Sequence, residues 1–184
     1  MSTFPADCPG DCNFDVPEFE MDDCNPDIDE GQISQLFIAK NDAADFVDWT
    51  ALSEWTTRKS NVSPDDDAIR YINIIGDLPA PETNEVEISK KRKIVINRGW
   101  VLNFRTEETS VANYNAMRTI QCGSYYKIWF ESGKYLYGDN SGIANSFINW
   151  SEVIPEDYNE FKTIQGTVSW DSKIQTAKCI SPLT

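Results

Sequence analysis

The stretch Glu85–Gln121, EVEISKKRKIVINRGWVLNFRTEETSVANYNAMRTIQ, decides how the chain is read. It opens as a strand, turns tightly at Ser89-Lys90-Lys91-Arg92-Lys93, continues as a long second strand through Arg105 and ends in an amphipathic helix. Ile94, Ile96, Trp100, Leu102 and Phe104 fall on one face at period two, interrupted only by Arg98, which predicts a half-buried strand. Val111, Tyr114, Met117 and Ile120 then recur every third residue, with Thr109 or Ser110 placed to cap the helix from about 109 to 121. A long projecting hairpin (85–105) beside one helix is the expected centre of a β-rich domain.

Outward from this stretch, strands are expected at Ile33–Ala39, Ile69–Ile75, Tyr125–Glu131, Lys134–Gly138, Ile143–Val153 and Tyr158–Ser172. The turn signals are Gly76-Asp77, Ser132-Gly133, Gly138–Gly142 and Pro155-Glu-Asp. Trp49, Leu52 and Trp55 predict a short helix at about 48–58, capped by Asp48. The prolines of Leu78–Thr83 make that segment a connection. The fold class is therefore mainly β: a two-sheet sandwich or small barrel with one helix on its flank.

With 184 residues, including six Trp, seven Tyr and nine Phe, the chain can bury a sizeable core. The net charge of −14 is uneven. Residues 1–30 hold ten acids and no Lys or Arg, so they form an acidic arm distinct from a body at 31–184. Four prolines and the charge density keep such an arm extended when alone, while Phe4, Phe14, Val16, Phe19 and Met21 equip it to order against its own body or a neighbour. The acidic balance argues against nucleic-acid binding, which needs concentrated Lys and Arg. No apolar run approaches the roughly 18 residues of a membrane span, and no signal peptide is expected. A cytosolic setting follows, and the sequons at Asn61 and Asn149 read as chance.

The chain has no His, which removes the commonest base, metal ligand and triad member. No phosphate loop, dinucleotide fingerprint or nucleophile elbow is present, Ser141 lies in a turn, and carboxylates alone do not make a glycosidase. No enzyme activity and no cofactor are expected. Cys8, Cys12 and Cys24 are the candidate zinc ligands, with the fourth position left to Cys122, Cys179 or a carboxylate. A Cys8–Cys24 or Cys12–Cys24 disulfide formed after lysis, or free thiols, fit the same spacing. Cys122 and Cys179 themselves read as buried small hydrophobes. The Asp23–Asp29 ladder lacks the glycine and the final glutamate of a calcium loop. Tyr125, Tyr126, Trp129, Phe130, Tyr135 and Tyr137 read either as a sugar platform or as core on one face and subunit contact on the other. Lys90, Lys91, Arg92 and Lys93 at the hairpin tip, with Phe4, Phe14 and Phe19 of the arm, are the candidate subunit contacts.

Glu87-Ile-Ser89, the basic turn, Ile94–Arg105, the helix to Gln121, the Tyr125–Tyr137 hairpin and the closing Thr163-Ile-Gln-Gly-Thr-Val-Ser-Trp170 together resemble a virion structural protein of tailed bacteriophages. The likeness runs over about residues 30–182 and is to the tail-tube and tail-ring type of phages infecting Bacteroidota, including crAss-like ones. The resemblance implies a small barrel or sandwich whose long hairpin reaches a neighbour. It further implies sixfold or twelvefold rings around a channel for DNA, contact with other tail or portal-complex proteins, and location in the virion tail after assembly in the bacterial cytoplasm. The Cys-bearing arm is not part of that pattern. A head-decoration or fibre-attachment protein and a carbohydrate-binding module are the alternatives.

Overall fold

The structure is a computed structural model that describes residues 31–61, 67–89, 92–122, 125–157 and 159–183, without the side chains of residues 88, 89, 92 and 93. The described elements run β1 (Ile33–Lys40), α1 (Leu52–Ser60), β2 (Arg70–Asp77), β3 (Glu82–Ser89), β4 (Arg92–Thr106), α2 (Val111–Cys122), β5 (Tyr126–Ser132), β6 (Tyr135–Tyr137), β7 (Ile143–Val153), β8 (Thr163–Ser172) and β9 (Lys178–Ile180). Six antiparallel strands, in the order β1-β2-β4-β8-β7-β5, close into a barrel because β5 pairs back onto β1 from Ile33↔Ser132 to Lys40↔Tyr126. β3 lengthens the edge of β4, and β6 followed by β9 continues outward from the second half of β5.

Alternation explains the interior. Leu36 and Ile38, Trp100, Leu102 and Phe104, Ile128 and Phe130, Ile148 and Trp150, and Ile164, Val168 and Trp170 all point inward and are buried. The barrel is thus a packed core with no bore. Trp100 and Trp170, opposite each other in the β4–β8 register, lie parallel at 6.3 Å between ring centroids.

β1 and β5 are buried on their outer face as well. Phe37, Ala39, Trp129 and Leu136 pack there with Trp55 of α1, Ala43, Phe46 and Ile69 to form a second core outside the barrel wall. Trp55 and Trp129 meet edge to face at 5.7 Å, Phe46 sits between them, and the Arg58 guanidinium lies 4.1 Å above the Phe46 ring. Gly138 and Gly142, both at positive φ, lie flat against the Trp129 indole and leave no room for a Cβ.

Several expectations need correction. α1 starts later than about 48: Asp48 closes a turn by accepting from Thr50, Ala51 stands at the cap position without a side-chain cap bond, and Glu54 reaches back to accept from the amides of Val47 and Asp48. The helix after β4 crosses an end of the barrel instead of lying on its flank. β4 and β5, which it joins, are opposite each other in the ring, and Met117 packs with inward-facing residues while its carbonyl accepts from the Trp150 indole. Ser110 does cap it, accepting from the amide of Asn113, but Val111 is exposed. Finally, the last long strand begins at Thr163 instead of near 158, and the expected tail adds a ninth described strand, β9, on β6. Ile94 and Ile96, expected in the buried stripe, lie outside it, as described below.

Gly166 tests the tightness of the barrel. A methyl group there would overlap the Asn149 carbonyl oxygen, the Phe104 ring edge and the Trp150 side chain. Gly166→Ala is expected to destabilise by about 2–3 kcal/mol, the usual cost of overpacking a filled core. Urea unfolding followed by tryptophan fluorescence measures it, and a loss below 0.5 kcal/mol, on the order of an ordinary surface change, would mean that the strands separate easily at this crossing.

Candidate assembly interface

β4 is 15 residues long, and its two halves have different surroundings. From Arg98 to Thr106 it lies against β8, with β2 on its other edge at Asn103–Arg105. β8 ends at Ser172, opposite Arg98, so among the described strands Arg92–Asn97 is paired with β3 alone. At about 3.3 Å per residue this two-stranded arm reaches roughly 20 Å past the barrel.

The inward stripe of β4 continues onto the arm with no described strand opposite it. Trp100, Leu102 and Phe104 are at most 5% exposed, whereas Ile94 and Ile96 of the same stripe are 41% and 51% exposed. A bulge at Asn84/Glu85 brings Val86, 47% exposed, opposite Ile94 on that face. Glu82, Glu85 and Glu87 share the opposite face, at the register positions of Gly99, Val95 and Lys93. One side of the hairpin is therefore apolar and the other acidic. Arg98 marks the root of the apolar side, where its guanidinium donates to the Lys173 carbonyl at 3.0 Å.

Of the sequence-predicted contacts, Lys90, Lys91, Phe4, Phe14 and Phe19 lie outside the described residues, as do the candidate zinc ligands Cys8, Cys12 and Cys24 and the Asp23–Asp29 ladder. Arg92 and Lys93 begin β4 at the tip of the hairpin. Contrary to expectation, Cys122 is exposed at the end of α2, and Cys179 is half-buried against the outer core, where burial and then the Asp48 charge raise its pKa. Among the described residues no group of His, Cys, Asp and Glu is arranged to hold a metal, and no helix is long and apolar enough to cross a membrane. In the aromatic hairpin, Trp129 and Phe130 are core residues of opposite faces, and Tyr137 stacks on Phe130 at 4.8 Å. Tyr125 is exposed against Phe147, and Tyr135 lies beneath the Lys134 and Lys178 ammonium groups.

A polar cluster that the sequence reading missed ties the loop after β1 to the barrel. Lys127, buried within the apolar run of β5, donates to the Ala43 carbonyl and, at 2.7 Å, to Asp45, whose second oxygen accepts from Ser141 Oγ at 2.9 Å. Asn140 takes the amides of Phe46 and Trp49, and Asn41 pairs reciprocally with Asn145, which holds a positive φ. The visible signal was a lysine inside Tyr-Lys-Ile-Trp-Phe; its partners lie too far along the chain to be read. Asp45 thus bridges the Lys127 ammonium and the Ser141 hydroxyl, and the cluster clasps the loop after β1 to β5 and to the turn after β6.

Comparison with protein-family models, with curated proteins and with solved structures finds no match.

The clasp has a pH signature. The hydrogen bonds from Lys127 and then Ser141 hold the Asp45 carboxyl below its usual range. A depressed carboxylate adds stability that is present above its unfolded pKa and is lost as pH falls through the folded one. Asp45→Asn, which leaves a buried ammonium without its counter-charge, is expected to cost about 1–2 kcal/mol at neutral pH, reduced by the exposure of Asp45. The gap between wild type and variant should close as pH falls below about 4. Denaturant melts at pH 7 and pH 3 check it; an equal gap at both would show that the charge of Asp45 is irrelevant.

Proposed function

We propose that this chain is a structural virion protein, a subunit of a tail tube or of a tail or connector ring whose copies enclose a channel for DNA. The observation that carries the reading is the β3–β4 arm, two strands wide, which leaves the barrel with an acidic face and with an apolar face whose Val86, Ile94 and Ile96 are exposed among the described residues. A two-stranded ribbon is marginal by itself, and one that projects with large apolar side chains finds its support in a neighbour. The interior of each barrel is filled, so a channel belongs between copies and not within one. The basic turn at Lys90–Lys93 and the acidic arm at 1–30 supply opposite charges for setting register between subunits. The resemblance to tail-tube and tail-ring proteins in the order of elements points the same way, with sixfold or twelvefold closure as its expectation.

Native mass spectrometry over a concentration series, with electron microscopy of the same samples, tests the reading. Closed rings are the expected outcome, and a strictly monomeric chain at high concentration would overturn it. Ile94→Glu with Ile96→Glu should leave the melting curve within about 0.5 kcal/mol of wild type, as for exposed positions, and abolish rings. Lys91→Glu with Arg92→Glu should impair assembly most at low salt, where exposed charges are least screened. Normal rings from both double variants would remove the hairpin from the interface.

A further inference from the structure

A cleft beside the hairpin end of the barrel has the makings of a ligand site. It lies where β8 runs out at Ser172 and β7 begins at Ile143, between the turn after β6 and the loop from β8 to β9, and it encloses about 640 Å³. Small-molecule pockets usually hold about 300–1,000 Å³. We propose that this cleft binds a neutral sugar, the end residue of a glycan, whose hydroxyls bridge the Trp170 indole N–H and the Asp171 carboxylate.

Both walls are held in place by the chain's own hydrogen bonds. In the first, the Asp139 carbonyl accepts from the Trp129 indole at 2.8 Å, the Asp139 carboxylate accepts from the Ser141 amide, and Ser141 Oγ is tied to Asp45. Asn145, at a φ of 56°, is kept there by its reciprocal pair with Asn41. In the second, Ser172 Oγ donates to the Ile174 carbonyl at 2.9 Å. The Ala177 carbonyl accepts from the Gly138 amide and joins the two walls. A site formed in advance loses little in ordering its loops around a ligand.

The polar groups left over define what fits. Trp170 lines the cleft, and its indole N–H is buried without an acceptor among the described residues, as is that of Trp100 stacked on it. Asp171, Gln175 and Thr176, also in the lining, make no side-chain hydrogen bond to another described residue. The lining holds two carboxylates, Asp139 and Asp171, and no Lys or Arg, so an anion is repelled. A cation would suit the carboxylates and leave the indole N–H unmet, and an apolar ligand would strip water from Asp171 without replacing it. A sugar hydroxyl answers both demands, because it donates to a carboxylate and accepts from an N–H. Ile143, Ala144 and Ile174 offer an apolar surface to the C–H face of the ring. The inference does not depend on the ring reading, since one copy supplies the whole cleft.

Saturation-transfer NMR on the full chain, which works for a monomer and for a ring alike, tests it with glucose, galactose, mannose, rhamnose, fucose, N-acetylglucosamine and N-acetylgalactosamine. At least one of these sugars is expected to bind saturably, with a Kd of about 1–10 mM. Asp171→Ala with Gln175→Ala should weaken that binding about tenfold or more, through loss of hydrogen bonds to the hydroxyls, and leave the melting curve unchanged. Ala144→Trp, which fills the cleft from an exposed position, should abolish it. Tyr125→Ser with Tyr135→Ser, on the aromatic hairpin, should leave it intact. Binding by none of the seven sugars would overturn the proposal. So would binding that survives both cleft variants, or that is lost with the two tyrosines. Thermal stabilisation by calcium chloride or spermidine and by no sugar would give the cleft to a cation and overturn it as well.

Discussion

Burial of β5 on both faces is the constraint from which the rest follows. Ile128 and Phe130 point into the barrel and Trp129 points out of it, and all three are at most 2% exposed. A strand in that position needs apolar cover on two sides and hydrogen bonds along two edges. β1 supplies one whole edge and closes the barrel, β7 and β6 divide the other, and α1 with the loop before it supplies the outer cover. Lys127 shows what the arrangement demands of a polar residue, since its aliphatic stem lies in the apolar wall while its ammonium must find the Ala43 carbonyl and Asp45.

Local signals were legible and global ones were not. The turns at Gly133, Gly138 and Gly142 and the β7 boundaries could be read because alternation and positive-φ glycines are written within a few residues. The stripe Trp100, Leu102, Phe104 was legible for the same reason. That Ile94 and Ile96 leave the core is not written locally: period two fixes the face, but the end of β8 at Ser172 decides where that face ceases to be covered. The helix from Val111 had a readable stripe, yet its place across the barrel end depends on β4 and β5 being opposite in the ring, a relation set by the β1–β5 closure. β9 was missed because a three-residue strand gains its identity from its partner β6. Of the candidate interface, the hairpin strands were visible, whereas the division into an apolar and an acidic face depended on a bulge at Asn84/Glu85.

The two ends of the barrel differ in kind. One is sealed by α2, whose Tyr114 and Met117 meet Trp150 from outside. The other carries the hairpin and the start of β1.

Barrel closure also imposes an order of events on a growing chain. Leu36 pairs with Phe130, about ninety residues later, so β1 leaves the ribosome long before its second partner exists. The β3–β4 hairpin, by contrast, is local and can form as soon as it is made, with β2 following on the same strand. During synthesis the outer edge of β1 therefore waits unpaired, and its run Leu-Phe-Ile-Ala stays exposed to other nascent chains. The feature that makes the finished barrel tight is thus the one that makes its birth slow and dependent on crowding.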